Sequence, residues 1–357
     1  MKFIHVADVH LGINPDADKP WSKDRAYDIK ETFENVIEKC KEVNCDLLLI
    51  AGDLFHRQPL IADLNEINDL FKTIPYTHVV IIAGECDRIK ENSAVLGFTF
   101  NENVHYITDE FPTELELNDL NVVIHGFSYH TQEVSIAYVD SISFSKDDRT
   151  HILLAHGGDL RHIPIDYTLL QNKGFTYCAL GHLHQHQVIE KDSIIYPGSL
   201  EPLSVNEAEE HGIIIGEINT LTKTMISTDF IPMAKVQYFP LKITINENIT
   251  TEQLVESIEN VIKERGINNI YKLRLEGSRS VDMDFQETDL SENIKIAEYI
   301  DNTIPKYDFV KLSKDHPQDM IGAFIRSFNN TKLEDMSETE RKALFYGINA
   351  LLKTADK

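Results

Sequence analysis

The 357-residue chain is poor in cysteine and has no long apolar run. Its four cysteines show no paired spacing and no zinc-finger pattern, which argues against a disulfide-rich secreted domain. Two of them, Cys40 and Cys178, lie within apolar stretches and are expected to be core thiols in a reducing compartment. Because the first strand begins at once, we expect no signal peptide, and no apolar run approaches the ~20 residues of a membrane span. These absences predict a cytoplasmic protein with no membrane partner.

Positive charge is also scarce. The chain has 34 lysines and arginines against 58 acidic residues, which gives a formal net charge of −24. The whole excess lies in residues 1–300, because residues 301–357 hold nine acidic and nine basic residues. Such a surface repels a phosphate-rich partner at long range and argues against tight non-specific binding of nucleic acid. It still permits a local electropositive site built by bound metals.

Hydrophobic periodicity predicts a large α/β domain over residues 1–232. Its strands are predicted at 2–7, 47–50, 79–82, 104–107, 113–118, 121–127, 151–155, 176–180, 186–190, 193–196, 212–218 and 223–230, and its helices at 26–43, 61–73, 131–141 and 166–173. The early alternation of strand and helix implies parallel strands covered by helices. The strand-rich remainder favours two sheets packed face to face, with helices outside.

A linker around residues 232–240 precedes a small α/β unit, predicted over 240–315. Its strands are predicted at 241–245, 270–275 and 308–312, and its helices at 251–265 and 290–302. Two amphipathic helices follow within 318–357, and the second opens with a capping box from Ser337 to Glu340. These helices either dock on their own domain or offer an apolar face to a partner.

Five short acid and histidine motifs carry the chemistry, and most directly follow a predicted strand. They are Asp8-Val9-His10, Gly52-Asp53, Gly84-Glu85-Cys86-Asp87, Ala155-His156-Gly157 and Gly181-His182-Leu183-His184. Residues two apart in an extended chain point the same way, so the first motif presents Asp8 and His10 together. A carboxylate beside an imidazole suits Mn²⁺, Fe²⁺ or Zn²⁺. Each motif alone is most often a simple turn, but all five in order predict a centre for two divalent metals.

This pattern resembles the calcineurin-like metallophosphoesterases, whose motifs are D-x-H, G-D, G-N-H-[DE], H and G-H-x-H. Within that superfamily the chain is similar to the SbcD-type nucleases of double-strand-break repair. The likeness is specific at Phe3–Gly12, Ala51–His56 and Tyr196–Ser199. It implies the metallophosphoesterase fold, an α/β two-sheet β-sandwich flanked by helices. The unit at 240–315 then corresponds to a capping domain.

The resemblance also implies a ligand set and a reaction. One metal would be held by Asp8, His10, Asp53 and His184, and the other by Asp53, Glu85, His156 and His182. Two such metals clamp a phosphodiester and lower the pKa of water between them. Mn²⁺ is the expected metal, with Fe²⁺, Zn²⁺ and Mg²⁺ as alternatives. His56 and Arg57 would contact the substrate phosphate, and Asp87 completes the catalytic set with His56 and the residue at position 86.

The third motif departs from the family pattern, because Glu85 replaces a neutral asparagine and Cys86 replaces the catalytic histidine. A glutamate can ligate a hard metal, so metal binding is expected to persist. A thiol with a pKa of about 8.5 carries no positive charge and cannot replace a protonated imidazole. Losing one general acid commonly lowers the rate ~10²–10⁴-fold. We therefore expect weakened or lost phosphodiester chemistry at a site that still binds metal.

Three functions fit these observations. The leading hypothesis is a metal-dependent DNA exonuclease or endonuclease of DNA repair. The resemblance implies that it works with an SbcC-type, SMC-like ATPase bound by the C-terminal helices, and that it forms homodimers. The acidity of the chain and the altered third motif favour, as an alternative, a phosphoesterase of small molecules or nucleotides. The third reading is a metal-bound structural subunit of a repair complex that has no turnover.

Overall fold

The structure is a computed structural model that describes residues 1–145, 147–283, 285–328 and 336–355. The chain divides into two compact units, Met1–Tyr238 and Phe239–Lys357. Among the described residues, no helix has both the length and the apolar character needed to cross a bilayer.

Twelve strands and four α-helices build the described part of the first unit. The strands are β1 (Lys2–Val6), β2 (Leu47–Ala51), β3 (His78–Ile82), β4 (Val104–Ile107), β5 (Thr113–Leu117), β6 (Val122–Gly126), β7 (Thr150–His156), β8 (Tyr177–Gly181), β9 (Gln187–Glu190), β10 (Ile194–Tyr196), β11 (Gly212–Asn219) and β12 (Thr224–Pro232). The helices are α1 (Ser22–Val43), α2 (Ile61–Phe71), α3 (Tyr138–Ser141) and α4 (Tyr167–Gln171).

The strands form two six-stranded sheets, ordered β12-β11-β1-β2-β3-β4 and β5-β6-β7-β8-β10-β9. In the first sheet β1 to β4 are parallel, and β11 and β12 are added in antiparallel fashion. In the second, β6, β7, β8 and β10 are parallel, with β5 and β9 antiparallel at its edges. The predicted two-sheet α/β architecture with flanking helices is confirmed.

The local sequence explains the type of each element. In α1, Ile29, Phe33, Val36 and Cys40 recur every three or four residues and are all buried, which is the spacing of one helix face. The helix ends at Asn44, which adopts the left-handed conformation with a φ of 52°, a common helix stop. Strand β2 and residues 79–82 of β3 are continuous apolar runs, as expected for parallel strands buried on both faces.

Three apolar layers hold the first unit together. The layer between the sheets includes Phe3, Leu49, Val80, Ile124, Ile152 and Tyr177. On the outer face of the first sheet, α1 and α2 bury Phe33 and Leu64, and α3 and α4 cover the second sheet with Val139 and Leu170. Each fully buried side chain of this size contributes ~1.5–3 kcal/mol. These layers leave the carboxyl ends of the parallel strands available for polar side chains.

The second unit is built on a small sheet with helices. Its elements are β13 (Tyr238–Ile245), α5 (Thr251–Arg265), β14 (Ile270–Arg279), β15 (Lys295–Asp301), β16 (Ile304–Pro305), α6 (Phe309–Asp315), α7 (Met320–Ser327) and α8 (Glu338–Ala355). The sheet has the order β13-β14-β15, and β16 also pairs with β14. Leu254 and Ile258 of α5 pack in its core. A second apolar cluster joins α6, α7 and α8, with Leu344 and Ile348 at its centre.

The predicted capping box is present, since the Ser337 backbone N–H donates to Glu340 and the Glu340 N–H donates to the Ser337 hydroxyl. Residues 329–335 and 356–357 of the predicted tail lie outside the described residues. The assignment of 240–315 as a capping domain and of 318–357 as a separate segment stays a prediction.

Three predicted elements are wrong. The helix predicted at 290–302 is instead β15, because its apolar spacing fits both periods and parallel pairing with β14 decides the outcome. The strand predicted at 308–312 begins α6, whose N-terminus is capped by the Asp308 side chain. The helix predicted near 131–141 is reduced to α3, since Val134 instead makes backbone hydrogen bonds to the 161–163 segment.

Candidate metal centre

The five motifs meet at one end of the two sheets. Asp8 follows β1, Asp53 follows β2 and Gly84 follows β3. His156 ends β7 and His182 follows β8, so the second sheet contributes from the same end of its parallel strands. All seven predicted metal ligands are thereby brought together.

Unusual backbone conformations aim these side chains at one another. Asp8, His10 and Asp53 have φ angles of 51°, 52° and 48°. His182 has a φ of 99°. Non-glycine residues in such conformations are strained by ~1–3 kcal/mol each and cluster at functional sites. Gly84 is needed nearby, because a Cβ at that position would collide with the Asp53 carboxylate.

A first group of ligands surrounds Asp8. His10 Nε2 lies 3.2 Å from His184 Nε2 and 3.7 Å from Asp53 Oδ2. Asp8 Oδ2 accepts a hydrogen bond of 2.9 Å from the His182 N–H, but its buried Oδ1 has no partner among the described residues. An unpartnered buried carboxylate oxygen is energetically unfavourable. A bound cation would satisfy it.

A second group surrounds Glu85. Its Oε2 lies 2.6 Å from His156 Nε2, and its Oε1 lies 3.0 Å from His182 Nδ1. His156 Nδ1 donates to the Ala51 carbonyl at 2.8 Å, which fixes the tautomer and directs Nε2 to the centre. Burial lowers the pKa of His156, but Glu85 and Asp53 outweigh it and raise that pKa well above its ordinary value.

Asp53 lies between the two groups. Its Oδ2 is 3.7 Å from His10 Nε2 and 3.9 Å from His156 Nε2, while its Oδ1 accepts from the Cys86 N–H at 2.9 Å. Burial raises the pKa of Asp53 to about 6; His156 opposes this shift and Glu85 adds to it. One oxygen facing both histidine groups is the arrangement of a bridging ligand.

The donor set fits divalent metals. Three carboxylates and four imidazoles supply the oxygen and nitrogen ligands that Mn²⁺, Fe²⁺ or Zn²⁺ accept. Several subsets of these side chains have their ligand atoms within 4.8 Å of one another, among them the triplets Asp8–His10–His184 and Glu85–His156–His182. The charge of the carboxylates also requires compensation in a pocket this buried.

The remaining predicted site residues lie in the loops that follow β2 and β3. His56 is exposed, and its Nδ1 lies 3.3 Å from His10 Nδ1. Arg57 is exposed beside it. The Cys86 thiol is partly exposed, and burial together with Asp53 raises its pKa, so it stays protonated. Asp87 is buried.

Asp87 joins two loops through its carboxylate. Its Oδ1 accepts from the Gly84 N–H at 2.8 Å and its Oδ2 accepts from the Phe55 N–H at 3.2 Å. Burial, with the nearby Asp53 charge, raises its pKa to about 8. Both oxygens are therefore engaged in positioning the loops after β2 and β3, and a catalytic role for Asp87 stays a prediction.

Comparison with known proteins identifies the class to which this centre belongs. Residues 1–186 match the sequence model of the calcineurin-like phosphoesterase family, and all five motifs lie in that span. The chain belongs to this family. The predicted family is thus confirmed, and the residues gathered at the strand ends form the expected place for its metals.

Individual relatives share less than a third of their aligned residues with this chain. It is 27% identical over 237 residues to the DNA double-strand break repair protein Mre11 of Archaeoglobus fulgidus, an alignment that covers 59% of this chain and 52% of the relative. It is 29% identical over 237 residues to the protein of the same name from Aeropyrum pernix, with 59% and 56% covered. The uncharacterized metallophosphoesterase YhaO of Bacillus subtilis is 27% identical over 305 residues, with 78% and 72% covered. The phosphoesterase thus spans about half the length of the Mre11 relatives.

Two acidic residues that the sequence motifs do not reveal contact two of the predicted ligands. Glu207 Oε1 lies 3.2 Å from His184 Nδ1, and Asp159 Oδ2 lies 2.8 Å from His182 Nε2. Burial opposes protonation of His184, but Glu207 outweighs it and raises the pKa of that histidine to about 9. Metal-binding histidines usually donate their second ring N–H to such a group, and the fold alone identifies which residue supplies it.

A buried ion pair holds the loop that carries Glu207. Arg25 of α1 is fully buried, and its Nη2 lies 3.1 Å from Glu201 Oε2. The Thr32 hydroxyl donates to the other oxygen of Glu201 at 2.6 Å. Helix α1 is thereby tied to the loop after β10, six residues before the carboxylate that contacts His184. This contact explains why an arginine lies on the buried face of α1.

Proposed function

We propose that this chain is a dinuclear-metal phosphodiesterase of DNA repair that cleaves DNA, with a rate reduced by its third motif. The observation that carries the proposal is Asp53, whose Oδ2 lies within 4 Å of a histidine from each ligand group. The unpartnered oxygen of Asp8 supports it. The choice of DNA is supported by the relatives that are named DNA double-strand break repair proteins.

The proposed ligands divide as the sequence analysis predicts. Asp8, His10, Asp53 and His184 would hold one cation, and Asp53, Glu85, His156 and His182 the other. When bound, the cations supply Lewis acidity and lower the pKa of water, and Mn²⁺ is the proposed metal. The chain contributes a fixed geometry, because the second ring nitrogens of His156 and His184 are held by Ala51 and Glu207.

The substrate phosphate would lie at the rim beside the exposed His56. This imidazole can donate a hydrogen bond to a non-bridging phosphate oxygen, with Arg57 adding positive charge next to it. Cys86 occupies the place from which the family histidine assists the leaving oxygen. A neutral thiol is a weak donor, so we expect the departing oxygen to take its proton slowly.

The proposal includes two protein partners. Val310, Met320 and Tyr346, from α6, α7 and α8, are 68%, 72% and 72% exposed, which suits helix packing against an SbcC-type ATPase. Leu60 and Ile61 at the start of α2 are 59% and 63% exposed and suit a homodimer contact. Large exposed apolar side chains in groups mark protein interfaces.

The test compares the wild-type chain with Asp53→Asn by Mn²⁺ calorimetry and by cleavage assays. Wild type should bind two Mn²⁺ per chain and cleave single-stranded or hairpin DNA. Asp53→Asn should disturb both sites and lower cleavage by at least ~10²-fold, since a metal contributes several kcal/mol to the transition state. Asp18→Asn removes an exposed carboxylate and serves as the control.

Each alternative predicts a different pattern. Cleavage of bis-p-nitrophenyl phosphate without cleavage of DNA would favour a small-molecule phosphoesterase, which the acidity of the chain also suits. Two bound Mn²⁺ without any turnover would favour a structural subunit. Unchanged Mn²⁺ stoichiometry in Asp53→Asn would contradict the dinuclear arrangement itself.

A further inference from the structure

The His10 ring contacts two different groups of ligands through its two nitrogens. Its Nε2 lies 3.2 Å from His184 Nε2, within the carboxylate-rich centre. Its Nδ1 lies 3.3 Å from His56 Nδ1, on the opposite edge of the ring. A donor atom of His10, one of His56 and the Cys86 thiol all lie within 4.8 Å of one another. A second set of possible ligands, containing no carboxylate, therefore adjoins the first.

The spacing of the two histidines in this second set matches a tetrahedral cation. With metal–nitrogen bonds of about 2.0–2.1 Å, two nitrogen ligands of a tetrahedral site lie roughly 3.3–3.4 Å apart. The His10 and His56 nitrogens are separated by 3.3 Å. A sulfur ligand at about 2.3 Å should lie roughly 3.6 Å from each nitrogen, and the Cys86 thiol lies within 4.8 Å of a donor atom of each histidine.

We propose that Cys86 Sγ, His56 Nδ1 and His10 Nδ1 form a binding site for a thiophilic divalent cation of the Zn²⁺ or Cd²⁺ class. Sulfur and imidazole select such cations, whereas carboxylates and water select Mn²⁺ or Mg²⁺. On binding, the thiol proton passes to solvent and the thiolate donates an electron pair to the cation, with no change of oxidation state. His10 donates the lone pair of Nδ1 and keeps its single ring proton on Nε2, so in this state it does not also hold a cation of the carboxylate-rich centre.

Cys86 is the cysteine best placed to be a ligand. Cys40, Cys45 and Cys178 are 1%, 5% and 2% exposed, and Cys86 is partly exposed. The site does not depend on phosphodiesterase activity. It depends on the residue that replaces the family histidine, and on two neighbours that already face it.

The experiment is a titration of the metal-free full-length chain with Co²⁺ and then Cd²⁺, followed by the ultraviolet thiolate-to-metal charge-transfer band. Wild type should develop this band to a plateau of one thiolate–metal unit per chain as the cation is added, and Cys86→Ser should show none. His56→Ala should keep a band but weaken binding by at least ~10-fold, because loss of even an outer-shell partner commonly weakens binding ~10–100-fold. His130→Ala, which removes a partly exposed histidine elsewhere in the first unit, should bind as wild type does.

Three results would overturn the site: no band in wild type, a band that persists in Cys86→Ser, or equal affinity in His56→Ala and His130→Ala. The outcome is separable from that of the proposed function. Cations held by the carboxylate-rich centre produce no sulfur band, and Mn²⁺ calorimetry of Cys86→Ser reports on that centre alone. The band can therefore appear when the Asp53 test fails, and the Asp53 test can succeed when the band is absent.

Discussion

Restoring the third motif to the family pattern should increase phosphodiesterase activity. The change is Glu85→Asn with Cys86→His, which removes one negative charge and supplies an imidazole. In the structure Glu85 neutralises His156 and His182, at 2.6 and 3.0 Å. Cys86 presents a thiol whose pKa is raised by burial and by Asp53. Both features oppose an anionic substrate, since neither offers positive charge to the phosphate.

The expected gain can be estimated from the two changes separately. At a separation of about 5 Å, two unit charges interact by ~3 kcal/mol at an effective dielectric constant of about 20, which sets the scale of repulsion between a bound phosphate and the Glu85 carboxylate. Removing that repulsion corresponds to ~10²-fold in kcat/KM. An added general acid contributes a further ~10²–10⁴-fold. The two residues are neighbours, so the combined gain should fall below the product.

The assay is hydrolysis of bis-p-nitrophenyl phosphate over a range of Mn²⁺ concentrations. Saturating metal is required, because Glu85→Asn also removes a charged ligand and should weaken the second site. Glu91→Asn removes an exposed carboxylate near the same loop and should leave kcat/KM unchanged. A double variant that binds two Mn²⁺ at saturation and still gains no activity would refute this account of the third motif.

Three further predictions concern the support of the site and the stability of the fold. Glu207→Gln should weaken Mn²⁺ binding ~10–100-fold in calorimetry, with Glu210→Gln unchanged. Arg25→Met leaves the Glu201 carboxylate buried without its partner, and should lower the free energy of unfolding in urea by ~3–5 kcal/mol. Burial lowers the pKa of His5 to about 3, so its neutral form stabilises the fold fully above the unfolded pKa of about 6.5. This contribution to the free energy of unfolding is lost as the pH falls from 6.5 towards 3, by ~2 kcal/mol at pH 5. Urea unfolding of His5→Gln over the same pH range should not show this loss.

The sequence predicts the fold and the site residues best where a clear apolar strand pattern is followed directly by a motif. The strands that precede Asp8 and Asp53 are largely buried, and parallel pairing brings their carboxyl ends to one edge. The resemblance to the family could therefore name seven expected ligands, and this pairing helps to explain why the structure brings them together. In the second unit the pattern is weaker, since the apolar residues of β15 fit two periods and pairing with β14 decides between them.

Supporting residues could not be predicted, because their roles depend on contacts between distant segments. Glu207 lies in a loop with no motif, 23 residues after the histidine that it contacts. Arg25 lies in a helix that begins far from its partner Glu201, 176 residues along the chain. Nothing in the local sequence separates these side chains from the many solvated charges of an acidic protein.

Backbone strain at the proposed ligands, compared with the loss of the family histidine, indicates that this chain retains metal binding. Asp8, His10, Asp53 and His182 all adopt strained backbone conformations; at ~1–3 kcal/mol each, their sum approaches the ~5–15 kcal/mol net stability of a whole domain. The buried Asp8 oxygen adds a further unfavourable contribution. Bound cations offset both, because a ligand of the folded state stabilises it in proportion to the logarithm of its concentration. The position proposed for the group that assists the leaving oxygen, by contrast, is occupied by Cys86, which leaves every proposed ligand in position. The strain is therefore explained by metal binding, with or without rapid turnover.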